Sequence, residues 1–182
     1  AGQQWVVDGY LLTLGALLLA GGAAGDRYGR RRVFLTGLAA FAVASAACAL
    51  APTGIVLIGA RVVQGVAAAA LIPGSLALIN ALIAEADRAR AIGLWAGMSG
   101  VTSALGPFLG GYLVDAASWR WVFVINVPLA TVAIYLAVRH VPESRDAAAA
   151  GPFDISGALL ATAGLAGVVY ALIEGPAHGW RP

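Results

Sequence analysis

Arg61 lies within the apolar stretch Ile55–Ile83, several residues from its start. An arginine at the centre of a bilayer costs at least about 2.5–3.5 kcal/mol on insertion scales, so such a residue usually faces a protein interior or a watery cavity and has a partner. The bland alternative is an arginine that snorkels to the outer interface, only about two turns away. Gln64 and Gly65 follow at i+3 and i+4 and share the helix face of Arg61. Gln64 can hydrogen-bond a substrate or hold the guanidinium in place. Asp8 sits at the outer end of the first apolar stretch. An intramembrane carboxylate could carry a proton. So near the interface, the favoured reading is a solvated group or a helix N-cap.

A second cluster is Gly22-Ala-Ala-Gly-Asp26-Arg27-Tyr-Gly29-Arg30-Arg31-Arg32. Charge this dense cannot sit in hydrocarbon, so it marks a membrane face. Asp26 and Arg30 are four apart and pair if the segment is helical. Gly22 and Gly29 permit close helix approach and a tight turn. Two readings stand: a solvated basic turn that sets topology, or a charge relay that holds one conformation closed and releases another.

The third cluster is glycine-rich: Gly93, Gly97, Gly100, Gly106-Pro107 and Gly110-Gly111. Gly106 and Gly110 form a small-x-x-x-small pair that lets another backbone approach. Pro107 removes a backbone hydrogen bond and can kink a helix, which a membrane tolerates when neighbours satisfy the freed carbonyl. Ordinary packing explains this pattern, and so does a moving bundle interface. Asn80, Asn126, Thr102 and Ser103 read as interhelical hydrogen bonders, and Asp154 as a helix cap. His140 and His178 read as loop residues without metal-ligand spacing. No nucleotide-binding loop, metal cluster or nucleophile motif is present, so an ATP-driven mechanism has no support.

The elements that carry these residues are membrane spans. The chain is 60% hydrophobic and 11% charged, with a mean hydropathy of +0.86; soluble domains carry about 25% charged residues. Its apolar blocks are continuous rather than alternating, which excludes a β-barrel pattern. The expected fold is all-α, a polytopic transmembrane bundle of six helices. Their predicted spans are Trp5–Ala24, Val33–Leu50, Ile55–Ile83, Ala91–Val114, Trp121–Val138 and Ile155–Ile173. Each is long enough to cross about 30 Å of hydrocarbon.

Arginine placement orients the bundle. Arg27, Arg30, Arg31 and Arg32 belong to the first loop, Arg88 and Arg90 to the third, and Arg139 and Arg145 to the fifth. Only Arg120 and Arg181 fall on the other side. This asymmetry predicts cytoplasmic first, third and fifth loops. Trp5, Tyr112, Trp119, Trp121 and Trp180 then form an outer aromatic belt. The net charge of +2 is sorted between loops and forms no nucleic-acid-binding face. Cys48 is the single cysteine, so an internal disulfide is impossible. Residues Pro142 to Pro152 read as a short cytoplasmic linker. No cleavable signal peptide is visible, and an opening without methionine looks like a piece of a longer protein.

The sequence resembles the fourteen-helix drug/proton antiporter family of the major facilitator superfamily, essentially end to end. Gln4-Trp5-Val6-Val7 resembles the opening of that family's second helix. Gly22-x3-Asp26-Arg27-x-Gly29-Arg30-Arg31 resembles its cytoplasmic signature, and Arg61-x2-Gln64-Gly65 its helix-four arginine motif. Gly93, Gly106-Pro107 and Gly110-Gly111 resemble the antiporter motif of helix five. Trp119-Arg120-Trp121-Val-Phe-x-Ile-Asn126-Val-Pro128 and Phe153-Asp154-x2-Gly157 resemble the starts of helix six and of the extra helix pair. Ala67 and Thr102 stand where the family often has glycine.

The resemblance implies helices two to seven, with helix one and the second half missing. Residues 1–146 would form five helices of the first half, and 147–182 a linker plus the first extra helix. It implies proton-coupled export of drugs or lipophilic secondary metabolites from the cell (inner or plasma) membrane. The energy source would be the proton gradient, with no cofactor. Arg61, Gln64 and Gly65 would serve proton coupling and the substrate cavity, and the basic loop would serve the conformational switch. The partners would be the lipid bilayer, a small lipophilic substrate, protons and the missing helices of the same polypeptide. Two alternatives stay open: a sugar or metabolite carrier of the same fold, and a non-transporting membrane scaffold.

Overall fold

The computed structural model describes residues 2–145 and 155–178. Seven helices follow one another: α1 (Gly2–Tyr28), α2 (Arg30–Leu50), α3 (Gly54–Leu82), α4 (Glu85–Ala116), α5 (Trp121–Val124), α6 (Asn126–His140) and α7 (Ile155–His178). Among the described residues there is no strand. Six helical spans are long and apolar enough to cross a membrane, with α5 and α6 together forming one. The expected count and fold class hold. The proposed caps and belt residues at Asp154 and Trp180, and the domain boundary at 146/147, lie outside the described residues.

Several predicted ends are corrected outward. α1 runs on to Tyr28 and takes in Asp26 and Arg27, and α4 starts at Glu85 and takes in Arg88 and Arg90. Charged residues end a hydrocarbon span but not a helix: the backbone bonds continue into the headgroup layer. Glu85 and Asp87 occupy the first turn of α4, where their charge suits the helix dipole. His140 and His178 are not loop residues; each is the last residue of a helix. The fifth stretch breaks at Ile125. Pro128 explains the break, because it lacks the N–H that would bond the carbonyl four residues back.

α1 and α3 pack along most of their length, α2 lies beside α3, α6 covers α2, and α7 lies on α1. The buried core is built mainly of alanine: Ala16, Ala44, Ala49, Ala67, Ala68 and Ala69 among others. Large apolar residues such as Val43, Leu50 and Ile55 point outward. This inversion suits a lipid solvent, which gives helices no hydrophobic reason to associate and leaves close backbone contact to hold them. Gly21 shows how close the approach is, since a Cβ there would collide with the backbone of Ala69. α4 stands apart, touching α3 and α5 only lightly, and none of its residues is buried.

Candidate functional site

Arg61 projects from α3 between α1 and α5. Its Nε donates to the Val6 carbonyl at 2.9 Å and its Nη1 to Gln64 Oε1 at 2.7 Å. The guanidinium lies 4.1 Å from the centre of the Tyr10 ring and 5.9 Å from that of Phe123. It faces the neighbouring helices α1 and α5. Its partners are neutral: among the described residues, no carboxylate reaches ion-pair distance of it. Neutral dipoles and aromatic faces thus surround this half-buried cation.

Gln64 is 1% exposed, so it lines no open cavity. Of the two roles expected for it, the structure shows the one that holds the guanidinium. Its Nε2 donates to Ser45 Oγ at 3.0 Å, and its Oε1 also receives the Cys48 thiol at 3.8 Å. Asn126 Nδ2 donates to the same Ser45 oxygen at 3.0 Å, and Ser45 Oγ donates to the Phe123 carbonyl at 3.0 Å. A buried polar chain thus joins α3, α2 and the α5–α6 break.

The expectation that Gly65 lines a cavity is corrected. Gly65 is buried at the α1–α3 crossing, where a Cβ would collide with the Thr13 hydroxyl and the Tyr10 carbonyl. Asp8 lies in the second turn of α1 and is partly exposed, which agrees with the solvated reading and not with the cap.

The basic loop is more built than a solvated turn. Arg30 pairs with Asp26 through Nε at 2.8 Å and Nη2 at 2.7 Å. Gly29 adopts φ 112°, a conformation that favours glycine, and joins α1 to α2 with one residue. Gly22 lies beside Pro73 of α3. Arg27 stacks near the Tyr28 ring at 5.9 Å. Glu143, absent from the sequence reading, caps α2 from more than a hundred residues away. Its carboxylate accepts the N–H groups of Arg31 at 3.0 Å and Arg32 at 3.1 Å. Arg30 N–H donates to the Ser144 carbonyl at 2.9 Å, and Arg31 Nη2 to the Val138 carbonyl at 2.8 Å. The arginine run gave no signal for this partner, because Glu143 accepts from backbone N–H groups rather than from the arginine side chains.

The glycine motif of α4 meets no neighbour: a Cβ at Gly93, Gly106, Gly110 or Gly111 would have open space around it. Pro107 lies inside a continuous helix. The expected small-x-x-x-small contact is therefore not made among the described residues. A cleft of about 860 Å3 opens between α4 and the α1–α3 pair, lined by Tyr10, Trp95, Met98, Ser99, Thr102 and Ser103 among others. Tyr10 lines this cleft and also carries Arg61 over its ring. Thr102 does not bridge helices as expected: its hydroxyl donates to Met98 of its own helix at 2.9 Å. Asn126 does bridge. The described residues hold no group of three or more His, Cys, Asp or Glu that could bind a metal.

The sequence matches the Major Facilitator Superfamily over residues 1–173. It is 46% identical over its whole length to the methylenomycin A resistance protein of Bacillus subtilis, covering 39% of that protein. It is 43% identical to the multidrug resistance protein Stp of Mycobacterium tuberculosis over 98% of this chain and 33% of Stp. To the tetracenomycin C resistance and export protein of Streptomyces glaucescens it is 38% identical, over 99% of this chain and 34% of that one. The chain spans about a third to two-fifths of the length of these relatives. With six spans, a half-buried arginine on the third and a paired basic loop after the first, this membrane chain belongs to the major facilitator superfamily.

Proposed function

We propose that this chain forms most of one half, plus the first extra helix, of a fourteen-helix proton-driven exporter. Its cargo would be drugs or lipophilic secondary metabolites. It acts as a carrier, uses no cofactor and draws its energy from the proton gradient. The first, third and fifth loops face the cytoplasm. The observation that carries this reading is Arg61, a cation inside the bundle whose partners among the described residues are neutral. Such a charge suits an acidic group on a further helix, bound when that group is ionised and freed when it is protonated. The cleft beside Tyr10 forms one wall of a cavity between two halves, near the membrane midplane where such carriers bind substrate. The printed names of the relatives support export of bioactive compounds.

The test is drug accumulation in cells that express the full-length product. Wild type lowers accumulation, a protonophore abolishes the effect, and Arg61→Ala reduces export about a hundredfold, as expected for loss of a buried charge partner. Export unaffected by Arg61→Ala would overturn the coupling role. Absence of any flux with normal membrane insertion would leave the scaffold reading in its place.

A further inference from the structure

Ser45 belongs to no motif in the sequence, yet its hydroxyl is where the polar interior converges. It is fully buried and makes three hydrogen bonds of 3.0 Å: it accepts from Gln64 and Asn126 and donates to the Phe123 carbonyl. These directions leave no freedom. The Ser45 proton is committed to Phe123, so the oxygen can only accept, and both amides must present their NH2 groups to it. For Gln64 this means that Oε1 faces Arg61, as observed at 2.7 Å. A flipped amide would aim donors at a guanidinium that has only donors. Asn126 opens α6 directly after the break at Ile125. A movement of Arg61 that pulls on Gln64 is thereby felt at the interrupted α5–α6 span.

We propose that Ser45 is a positioning residue for proton coupling, locking Gln64 against Arg61 and linking that pair to Asn126 at the α5–α6 break. This rests on the reading of Arg61 as the coupling cation. Ser45 touches neither substrate nor proton; it sets the orientation of the group that holds the charge. Deletion of the hub leaves the Gln64 amide donor without this acceptor and Asn126 with only its 3.5 Å bond to the Val122 carbonyl.

The experiment uses the full-length protein in proteoliposomes, with the methylenomycin-type or tetracenomycin-type compound that wild type exports as probe. Two rates are read: net export driven by a proton gradient, and substrate–substrate counterflow, which needs no net proton movement. Ser45→Ala is expected to lower net export about tenfold while counterflow and KM stay at wild-type values. Asn126→Ala is expected to do the same, so the result does not hang on one variant folding. The double variant should lose no more than either single one, the signature of one shared network. Ser45→Thr, which keeps the hydroxyl, should recover most of the net export. Equal loss of net export and counterflow, additive losses in the double variant, or wild-type behaviour of Ser45→Ala would each overturn the proposal. Arg61→Ala, run alongside, separates the failures. If it spares net export, the coupling reading falls and this inference with it. If it abolishes net export and Ser45→Ala does not, this inference alone falls.

Discussion

At the scale of single residues, glycines and short polar side chains set this bundle more than large apolar ones do. Gly65 permits the α1–α3 crossing, and Gly59, one and a half turns earlier on α3, points into open space. Gly65→Ala should therefore destabilise the protein by about 1–3 kcal/mol, whereas Gly59→Ala should be neutral or slightly stabilising, as alanine favours a helix. Thermal melts in detergent measure both. Gly29→Ala should cost about 1–2 kcal/mol, because of its positive φ and because the new methyl would crowd the Glu143 carboxylate. The Arg61–Gln64 pair was legible in the sequence because both partners lie on one helix, three residues apart. Ser45 was not legible. Its partners lie 19 and 81 residues away, and a serine in an apolar stretch carries no mark of what crosses above it. The placing of Gly65 at a cavity failed for a related reason: a shared helix face says what is adjacent on that helix, not which neighbour covers it.

At the scale of elements, apolar runs located every span, while charges at their ends obscured where the helices stop. The Ile125 break was encoded in Pro128. The closure of α2 by a loop from the far end of the chain was not encoded locally at all. Glu143 supplies acceptors to the first N–H groups of α2 and a negative charge at its positive pole. Glu143→Gln keeps an acceptor and should cost about 0.3–1 kcal/mol, and Glu143→Ala about 1–2 kcal/mol. Hydrogen exchange at Arg31 and Arg32 should quicken in the same order. Unchanged exchange in Glu143→Ala would show that the clasp carries no load. α4 differs from the other spans: a Cβ at its motif glycines would meet open space and its contacts with the described core are few.

At the scale of the whole molecule, the packing groups the loops into two ends. The first and fifth loops meet through Glu143 and Arg31, and the second and fourth meet through Arg120 Nη2 and the Ala51 carbonyl at 3.3 Å. The arginine distribution supports the proposal that the first of these ends faces the cytoplasm. In a Cys48→Ala background, an impermeant maleimide should label Pro52→Cys in intact cells, and Ala84→Cys only once the membrane is opened. The reverse pattern would invert the topology. Family and fold followed from motifs and hydropathy because both are written along the chain. The buried network and the clasp arise only when distant segments meet.

Proton coupling through Arg61 is read out by lumenal pH in proteoliposomes of the full-length protein as an exported compound is added. Substrate-driven proton movement is expected in wild type and is lost in Arg61→Ala, with the protein folded and inserted in both. Proton movement that persists unchanged in Arg61→Ala would contradict that coupling.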